Sequence, residues 1–239
     1  MKCLHASASS IWNGPPLATD AYRARIVLLR SYREVGITRI MPTRRKQPAV
    51  TRRTILDAAG AEFARHGYAG AGLEAVVKRA GLTKGALFHH FSDKRAMALA
   101  WIEEVLAPAM ADGWSAPIEA LASLDALKGF FRARCLEMES TDAPSALVTM
   151  TTGISSADDV LGVALETVFT AWRDALAALL NRGKSEGWIH RSIQPHAEAV
   201  FLVSAIAGFC VTARPAMNDA AKRGCAAALE AYLETLRAQ

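Results

Sequence analysis

Helical spacing of apolar residues, broken by one short turn that contains glycine, is the feature that most constrains how this chain folds. Between 50 and 66 the apolar residues recur every three to four positions, which predicts an amphipathic helix that ends at Gly67. Two short helices are predicted at 73–80 and 84–91, and Gly81-Leu82-Thr83 separates them. Two short helices joined by such a turn form a helix-turn-helix.

The rest of the chain also has helical periodicity, and runs of alternating apolar and polar residues are absent from the sequence. A longer helix is predicted to start after Ser92 or Asp93 and to run to about Ala111. Further helices are predicted near 116–138, 145–153, 158–186, 195–213 and 217–238. With 51% apolar residues, the 239-residue chain is too hydrophobic to be disordered. The sequence therefore predicts an all-α protein in which a three-helix domain with the helix-turn-helix precedes a larger helical domain.

Charge divides the chain into three parts. Residues 1–40 carry a net charge of +4, residues 41–95 carry +7 and residues 96–239 carry −6. The basic part that contains the helix-turn-helix predicts contact with a polyanion such as nucleic acid. Met41 opens a segment typical of the start of a compact protein. Residues 1–40 are therefore either an extension from an upstream start codon or a basic arm that adds DNA contacts.

The residues around the helix-turn-helix resemble a known family. Ile55-Leu-Asp-Ala-Ala, Phe63, His66-Gly-Tyr and the run Ala80-Gly-Leu-Thr-Lys-Gly-Ala-Leu-Phe-His-His-Phe-Ser-Asp-Lys94 are similar to the N-terminal domain of the tetracycline-repressor (TetR) family. This resemblance implies a homodimeric, ligand-controlled transcription regulator, in most cases a repressor. It implies a DNA-binding domain at 41–95 and an effector-binding and dimerisation domain at 96–239.

Two positions depart from the family pattern. The family usually has Thr or Ser at the start of the first helix of the motif, where this chain has Ala71 and Gly72. It prefers Tyr where this chain has Phe88. Both changes remove a hydroxyl that could bind phosphate, and the first also removes a helix cap, which typically contributes ~1 kcal/mol. We therefore expect weaker DNA binding on an unchanged fold.

The second helix of the motif is expected to place its N-terminal end in the major groove. Lys84 can donate to guanine, and small Gly85 and Ala86 permit close approach. His90 and Lys94 match phosphate-contacting positions of the family, whereas the arginines before and within the first helix are either DNA contacts or a solvated basic tail. The predicted DNA-binding residues are Arg44, Arg45, Arg52, Arg53, Thr83, Lys84, Gly85, Ala86, Phe88, His89, His90 and Lys94.

Aromatic, Met and Cys residues of the middle helices are either ordinary core or, as the resemblance implies, the lining of an apolar effector cavity. The predicted lining residues are Trp101, Trp114, Phe131, Cys135, Met138, Met150, Phe169 and Trp172. Cys135 has Arg132 and Arg134 close by in sequence, so it is either a thiol that senses electrophiles or oxidants or a buried apolar residue.

Residues 195–213 are apolar on nearly every side, and such a helix must be covered all round. A second subunit is the simplest cover, and with 217–238 this segment resembles the dimer interface of the family. The predicted interface residues are Phe201, Ala205, Gly208, Phe209 and Leu229. The longest nearly apolar stretch, 197–213, is shorter than the ~20 residues of a membrane-spanning helix, so no membrane association is expected.

The sequence gives no support for an enzyme, a cofactor or a metal site. Gly70-Ala-Gly-Leu-Glu-Ala75 matches a dinucleotide-binding fingerprint, but it follows a helix where that fingerprint follows a strand. Four cysteines far apart and the lack of a signal peptide favour the cytoplasm. The expected function is a homodimeric repressor, released from double-stranded operator DNA by a small apolar or amphipathic effector. The alternatives are a transcriptional activator and a thiol-based sensor that uses Cys135.

Overall fold

The computed structural model describes residues 48–154, 159–213 and 218–239, and helices account for nearly all of them. The helices are α1 (Pro48–Gly70), α2 (Leu73–Ala80), α3 (Lys84–His90), α4 (the unbroken series Lys94–Trp101, Ile102–Leu106, Ala107–Met110, Ala111–Ser115 and Ala116–Glu119), α5 (Leu124–Glu137), α6 (Ala143–Thr152), α7 (Asp159–Glu186), α8 (Pro195–Thr212) and α9 (Asp219–Glu234). The described residues contain no β-strand, only an isolated bridge between Ile189 and Arg237. The all-α prediction is confirmed. The segment 1–40 lies outside the described residues.

The three helices of the N-terminal domain form where the apolar pattern predicts them. Gly67 interrupts α1 with a backbone φ of +65°, so the regular part of α1 ends at the predicted residue. The turn after α2 begins at Gly81, which also has a positive φ of 63°. Val76 of α2 and Leu87 of α3 are fully buried against α1 residues such as Ile55. Burial of these side chains fixes the angle at which α3 is presented.

Helix α4 is longer than predicted: it continues past Ala111 to Glu119. Two π-helical turns, Ile102–Leu106 and Ala111–Ser115, each end two residues before a proline. In each turn the last amide before the proline donates five residues back, from Ala107 to Ile102 and from Ala116 to Ala111. A proline ring collides with the carbonyl four residues earlier in a regular α-helix, and a wider turn relieves that collision. Pro108 and Pro117 are therefore accommodated within a continuous helix.

The predicted helix over 116–138 is wrong, because residues 116–119 complete α4 and a new helix begins at Leu124. The side chain of Ser123 starts α5 by accepting a hydrogen bond of 3.1 Å from the amide of Ala126. The larger helical part then pairs α5 with α9 and α7 with α8. Its core is continuous with the core of the N-terminal helices.

The end of α1 packs directly against the end of α6. A Cβ atom placed on Gly153, which follows α6, would lie 3.0 Å from the amide nitrogen of Tyr68 and 3.4 Å from the Cα of Gly67. A Cβ on Gly67 would lie 3.0 Å from the carbonyl oxygen of Thr149. The two backbones meet closely only because both residues lack a side chain.

By length and composition alone, helix α8 is long and apolar enough to cross a membrane, whereas no such expectation followed from the sequence. Its 18 residues have a mean hydropathy of 1.4, and a third of them are buried within the chain. It is the one helix of the described residues with these properties. A helix that packs between two protein subunits has the same length and hydropathy.

Candidate DNA-binding surface and effector site

The helix-turn-helix presents α3 through specific local contacts. Thr83 caps α3, its hydroxyl oxygen accepting a hydrogen bond of 3.2 Å from the amide of Ala86. The amide of Gly81 donates to the carbonyl of Lys78 at 3.2 Å, which closes the end of α2. Leu87 and Phe91 point into the core. The opposite face of α3, called the free face below, is not covered by any described residue.

The free face of α3 consists of residues that the sequence analysis selected. Lys84, Gly85, Phe88 and His89 are exposed, and Phe88 keeps 43% of its surface accessible although it is a large apolar side chain. An exposed cation beside a residue without a side chain suits close approach to base edges in a major groove. The face thus combines charge, small size and an uncovered aromatic ring.

His90 lies at the edge of this face and is half-buried. Burial lowers the pKa of its imidazole, and the neighbouring His89 and Arg52 lower it further. The imidazole is therefore neutral near pH 7 and can donate one hydrogen bond to a phosphate. His89 and His90 sit with their rings edge to face, with centroids 5.3 Å apart.

Two of the predicted DNA-binding arginines form contacts with other residues of the chain at its surface. The guanidinium of Arg52 forms a salt bridge with Glu104 of α4 and lies 4.5 Å from the ring centre of Phe91. Arg53 pairs with Asp57 at 2.8 Å, one helical turn away. These arginines stabilise α1 and its junction with α4, and a role in DNA binding stays a prediction. Arg44 and Arg45 lie outside the described residues.

Lys94 is also held by its own domain. Its ammonium donates to the carbonyl of Ala69 at 3.2 Å and lies 4.9 Å from the ring centre of Tyr68. Burial lowers the pKa of this amine. Lys94 therefore joins the start of α4 to the end of α1, next to the contact between α1 and α6.

The start of α2 lacks a side-chain cap, as Ala71 and Gly72 in place of the family's Thr or Ser predict. Gly72 occupies the cap position with extended backbone angles, and no side chain accepts from the first amides of α2. Ala71 is buried. The open space around Gly72 would accept a hydroxyl-bearing side chain, since nothing lies within 4 Å of a Cβ built there.

The predicted effector residues do not gather around one cavity. Trp101 packs on α1 against Phe63, with ring centres 5.4 Å apart, and its indole fills the space beside Gly60. Met150 is buried within α6. Cys135 and Met138 lie at the junction of α5, α8 and α9, beside the other described thiols. Assignment of these residues to an effector stays a prediction.

Trp114, Phe131 and Trp172 form an aromatic cluster with Phe130. The ring centre of Trp114 lies 4.9 Å from Trp172 and 5.7 Å from Phe130. Two buried donors belong to this neighbourhood: the Nε1 of Trp172 and the Nε of Arg134, whose guanidinium lies 5.7 Å from the Phe130 ring centre. Within the part of the chain that the structure describes, neither nitrogen has a hydrogen-bond partner. A buried donor left unpaired is destabilising, so the cluster suits a bound group with hydrogen-bond acceptors.

Phe169 instead lines an open cavity of about 690 Å³ between α6, α7 and α8. Its wall is mainly apolar and has three charged members, Asp159, Glu166 and Arg173, of which the last two pair with each other. The volume lies in the range of small-molecule sites. Phe169 was predicted from the sequence, whereas the charged pair of Glu166 and Arg173, seven residues apart on the same face of α7, was not.

The outer faces of α8 and α9 are apolar and lined by small residues. Phe201 is 50% exposed and stacks on Tyr232 with ring centres 4.5 Å apart, and Gly208 is exposed on the same helix. Ala205 and Phe209 are half-buried beside them. On α9 the exposed residues include Gly224, Ala227 and Ala231. Leu229, by contrast, is buried within its own chain and offers no area to a second subunit.

The fold and the free face of α3 define an all-α helix-turn-helix protein, and the comparisons with known proteins show which family this part of the chain resembles. Residues 55–101 match the family model described as bacterial regulatory proteins, tetR family. Over this segment, which contains the helix-turn-helix, the chain is similar to the N-terminal domain of that family. A solved TetR transcriptional regulator from Chloroflexus aurantiacus superposes with a TM-score of 0.70 at 20% identity, over 80% of this chain and 98% of that one.

Two relatives of known role extend the comparison. The A-factor receptor protein of Streptomyces griseus is 26% identical over 181 residues, which cover 73% of this chain and 59% of the receptor. The HTH-type transcriptional repressor AcnR of Corynebacterium efficiens is 41% identical over 58 residues, which cover 24% of this chain and 31% of the repressor. The chain thus spans between about a third and three fifths of the length of these relatives. The relationship is to transcriptional regulators.

Proposed function

We propose that this chain is a ligand-responsive transcriptional repressor that binds double-stranded operator DNA as a homodimer in the cytoplasm. The proposal rests on the free face of α3, where Lys84, Gly85 and Phe88 project from a helix fixed by the Thr83 cap and by buried Leu87. Residues 41–95 would then bind DNA, and residues 96–239 would bind the effector and the second subunit.

Binding to DNA is tested by fluorescence anisotropy with duplexes from upstream of the gene that encodes this chain. The full-length protein and a version that starts at Met41 are titrated at two salt concentrations against a scrambled duplex. We expect specific, salt-sensitive binding by both proteins, because phosphate contacts release counterions. Equal weak binding to the specific and scrambled duplexes would contradict operator recognition there. A reporter behind the bound duplex should be repressed, and activation would favour the alternative.

The exposed apolar faces of α8 and α9 support the proposed homodimer. Two copies of α3 must reach successive major grooves, which requires a two-fold arrangement of subunits. Ala231→Arg places a long charged side chain on an exposed residue of α9, so the subunit should still fold while the dimer weakens. Sedimentation at micromolar concentration should show monomers for this variant and dimers for Ala122→Arg, a matched change on an exposed loop. A monomeric unmodified protein, with and without DNA, would refute the dimer.

An effector site in the aromatic cluster is supported by the unpaired indole nitrogen of Trp172. A small molecule with an apolar body and a carbonyl or carboxylate oxygen would satisfy this donor. Its binding would favour subunit geometries in which the two recognition helices no longer match the groove spacing. Since the relative from Streptomyces griseus is named as an A-factor receptor, A-factor is the first compound to test.

The effector test measures release of the operator and quenching of tryptophan fluorescence as A-factor is added. Trp172→Phe retains most of the apolar volume but removes the N–H, so we expect unchanged DNA binding and at least tenfold weaker release. Trp188→Phe is the control, because the indole nitrogen of Trp188 is already satisfied by Glu186 at 2.8 Å. Equal responses of the two variants would contradict a role of Trp172 in ligand binding.

A further inference from the structure

Two cysteines from distant parts of the sequence meet between α5 and α9. The sulfur atoms of Cys135 and Cys225 are 3.7 Å apart, although 90 residues separate them along the chain. A disulfide requires about 2.05 Å between sulfurs, so the two atoms must approach by only ~1.7 Å. Cys135 is fully buried, and Cys225 is half-buried at the edge of α9.

The two thiols have unlike chemical surroundings. The S–H of Cys135 donates a hydrogen bond to the sulfur of Cys225, which lowers the pKa of Cys225 and favours its thiolate. The same bond and burial raise the pKa of Cys135. Cys225 is therefore both the more accessible and the more nucleophilic of the two, and Cys135 is placed to react second.

A third thiol lies nearby but is held differently. Cys210 of α8 contacts the sulfur of Met138 at 3.6 Å and is buried. Burial raises the pKa of Cys210 to about 11, so it stays protonated near neutral pH. A thioether cannot form a disulfide, and this contact occupies Cys210. The geometry therefore selects one pair from the three cysteines of the described residues.

We propose that Cys135 and Cys225 are a redox modification site, where a hydroperoxide converts two thiols into a disulfide that fastens α9 to α5. This inference goes beyond the proposed function and does not depend on DNA or effector binding. The two sulfur atoms are the groups that react, and the oxidant is a small hydroperoxide able to reach the edge of α9.

The reaction balances in two steps. The Cys225 thiolate attacks one oxygen of the hydroperoxide, an S–O bond forms, the O–O bond breaks, and the departing alkoxide takes a proton to become an alcohol. The sulfur of Cys135 then attacks the Cys225 sulfur, and its proton leaves with the hydroxyl group as water. Two thiols and one hydroperoxide thus give one disulfide, one alcohol and one water, and the two electrons pass from sulfur to oxygen.

Ion pairs already hold α5 against α9 next to the two thiols. Lys128 binds Glu234 at 2.7 Å and Arg132 binds Glu230, and the Cys135–Cys225 pair lies further along the same contact. Closing it would tie together a loop of 90 residues, which restricts the unfolded chain strongly.

The test treats the full-length reduced protein with hydrogen peroxide and maps its peptides by mass spectrometry without reduction. We expect a linked pair of peptides that carries Cys135 and Cys225, reversible by dithiothreitol, and a Tm several degrees above that of the reduced protein. Cys210→Ser should behave identically, whereas Cys225→Ser should show neither the linked pair nor the rise in Tm.

Three outcomes would overturn the proposal: thiols that remain free at peroxide concentrations that oxidise glutathione, a linkage of Cys225 to Cys3 or Cys210, or an equal rise in Tm in Cys225→Ser. Cys135→Ala keeps a small apolar residue in the core and separates oxidation from misfolding. Its Cys225 should stop at the sulfenic acid, which dimedone labels. Absence of that label would remove Cys225 as the attacking thiol. DNA binding by the reduced protein, measured in parallel, tests the proposed function separately.

Discussion

Gly67 and Gly153 touch backbone to backbone where α1 of the DNA-binding helices meets the end of α6. Neither residue could carry a side chain without displacing the other element, because the nearest backbone atoms lie 3.0 Å from the built Cβ in both cases. The recognition helix is therefore positioned relative to the larger helical part by the close α1–α6 contact, which has no room for an added side chain at either glycine.

Gly153→Ala should weaken operator binding. The backbone angles of Gly153, φ −93° and ψ −2°, suit any residue, so the effect of the methyl group is steric. It must push the Tyr68 amide away and shift α1 relative to α6. We expect about tenfold weaker DNA binding, roughly 1.4 kcal/mol, and a Tm lower by a few degrees. Anisotropy titration and thermal melting measure both.

The control for this substitution is Gly129→Ala on the exposed side of α5, where a Cβ meets nothing within 4 Å. It should raise the free energy of unfolding by roughly 0.5–1 kcal/mol and leave DNA binding unchanged, because alanine is the better helix residue. Operator binding by Gly153→Ala equal to that of the unsubstituted protein would show that the α1–α6 contact does not position α3.

Lys84→Ala should reduce specific DNA binding with little effect on the fold. Lys84 is exposed at the start of α3, and its side chain forms no ion pair or hydrogen bond with another described residue. Loss of a contact to a guanine edge corresponds to about 1–3 kcal/mol, or a five- to 150-fold weaker affinity for the operator. Arg191→Ala removes an exposed cation from the loop before α8 and should bind normally. Equal affinities of the two variants would exclude Lys84 from the interface.

Gly72→Ser should restore the missing cap of α2. Serine at this position can accept from the first amides of the helix, and its hydroxyl can also face a phosphate. We expect a free energy of unfolding higher by about 0.5 kcal/mol and a two- to fivefold tighter operator complex. Gly72→Ala supplies the Cβ without the hydroxyl, so only the difference between the variants reports the cap. No difference in either quantity would contradict this interpretation of α2.

Asp142 should make stability depend on pH. Burial raises the pKa of this carboxyl, at the start of α6, to about 6, although it accepts a hydrogen bond of 2.8 Å from the amide of Glu139. Because the folded pKa lies above the unfolded value of 3.8, the folded state binds the proton more tightly. The stabilisation is complete below pH 4 and is lost as the pH rises through 6.

Asp142→Asn keeps an acceptor for the Glu139 amide but does not titrate. Relative to the unsubstituted protein, its stability should therefore improve by about 1–3 kcal/mol between pH 5 and pH 7.5. Glu234→Gln is the control, because hydrogen bonds from Arg237 and Lys128 lower the pKa of Glu234 to about 2 and its contribution is constant over this range. Parallel stability curves for Asp142→Asn and the unsubstituted protein would refute the prediction.

The sequence was sufficient for the parts of the fold that short-range patterns control. Apolar spacing and the glycine of the turn located α1, α2 and α3, and the Thr83 cap follows from a residue type at a helix start. The end of α4 was missed because Gly113 and two prolines normally end a helix, whereas here π-turns absorb them.

The site was predictable where it depends on exposure of one helix face and not where it depends on distant partners. Lys84 and Phe88 could be selected from the helical spacing of α3. The pairing of Arg52 with Glu104, the meeting of Cys135 with Cys225 and the contact of Gly67 with Gly153 join residues at least 50 positions apart. A single sequence contains no local signal for such pairs.

The two π-turns divide α4 into three short α-helical segments. In the first segment Trp101 packs against α1, and in the first π-turn Glu104 pairs with Arg52. The last segment ends at Glu119. A bend at either π-turn would alter the tilt of the N-terminal helices and leave each α-helical segment intact. Two prolines nine residues apart thus determine the two positions along α4 at which the helix is wider than a regular α-helix.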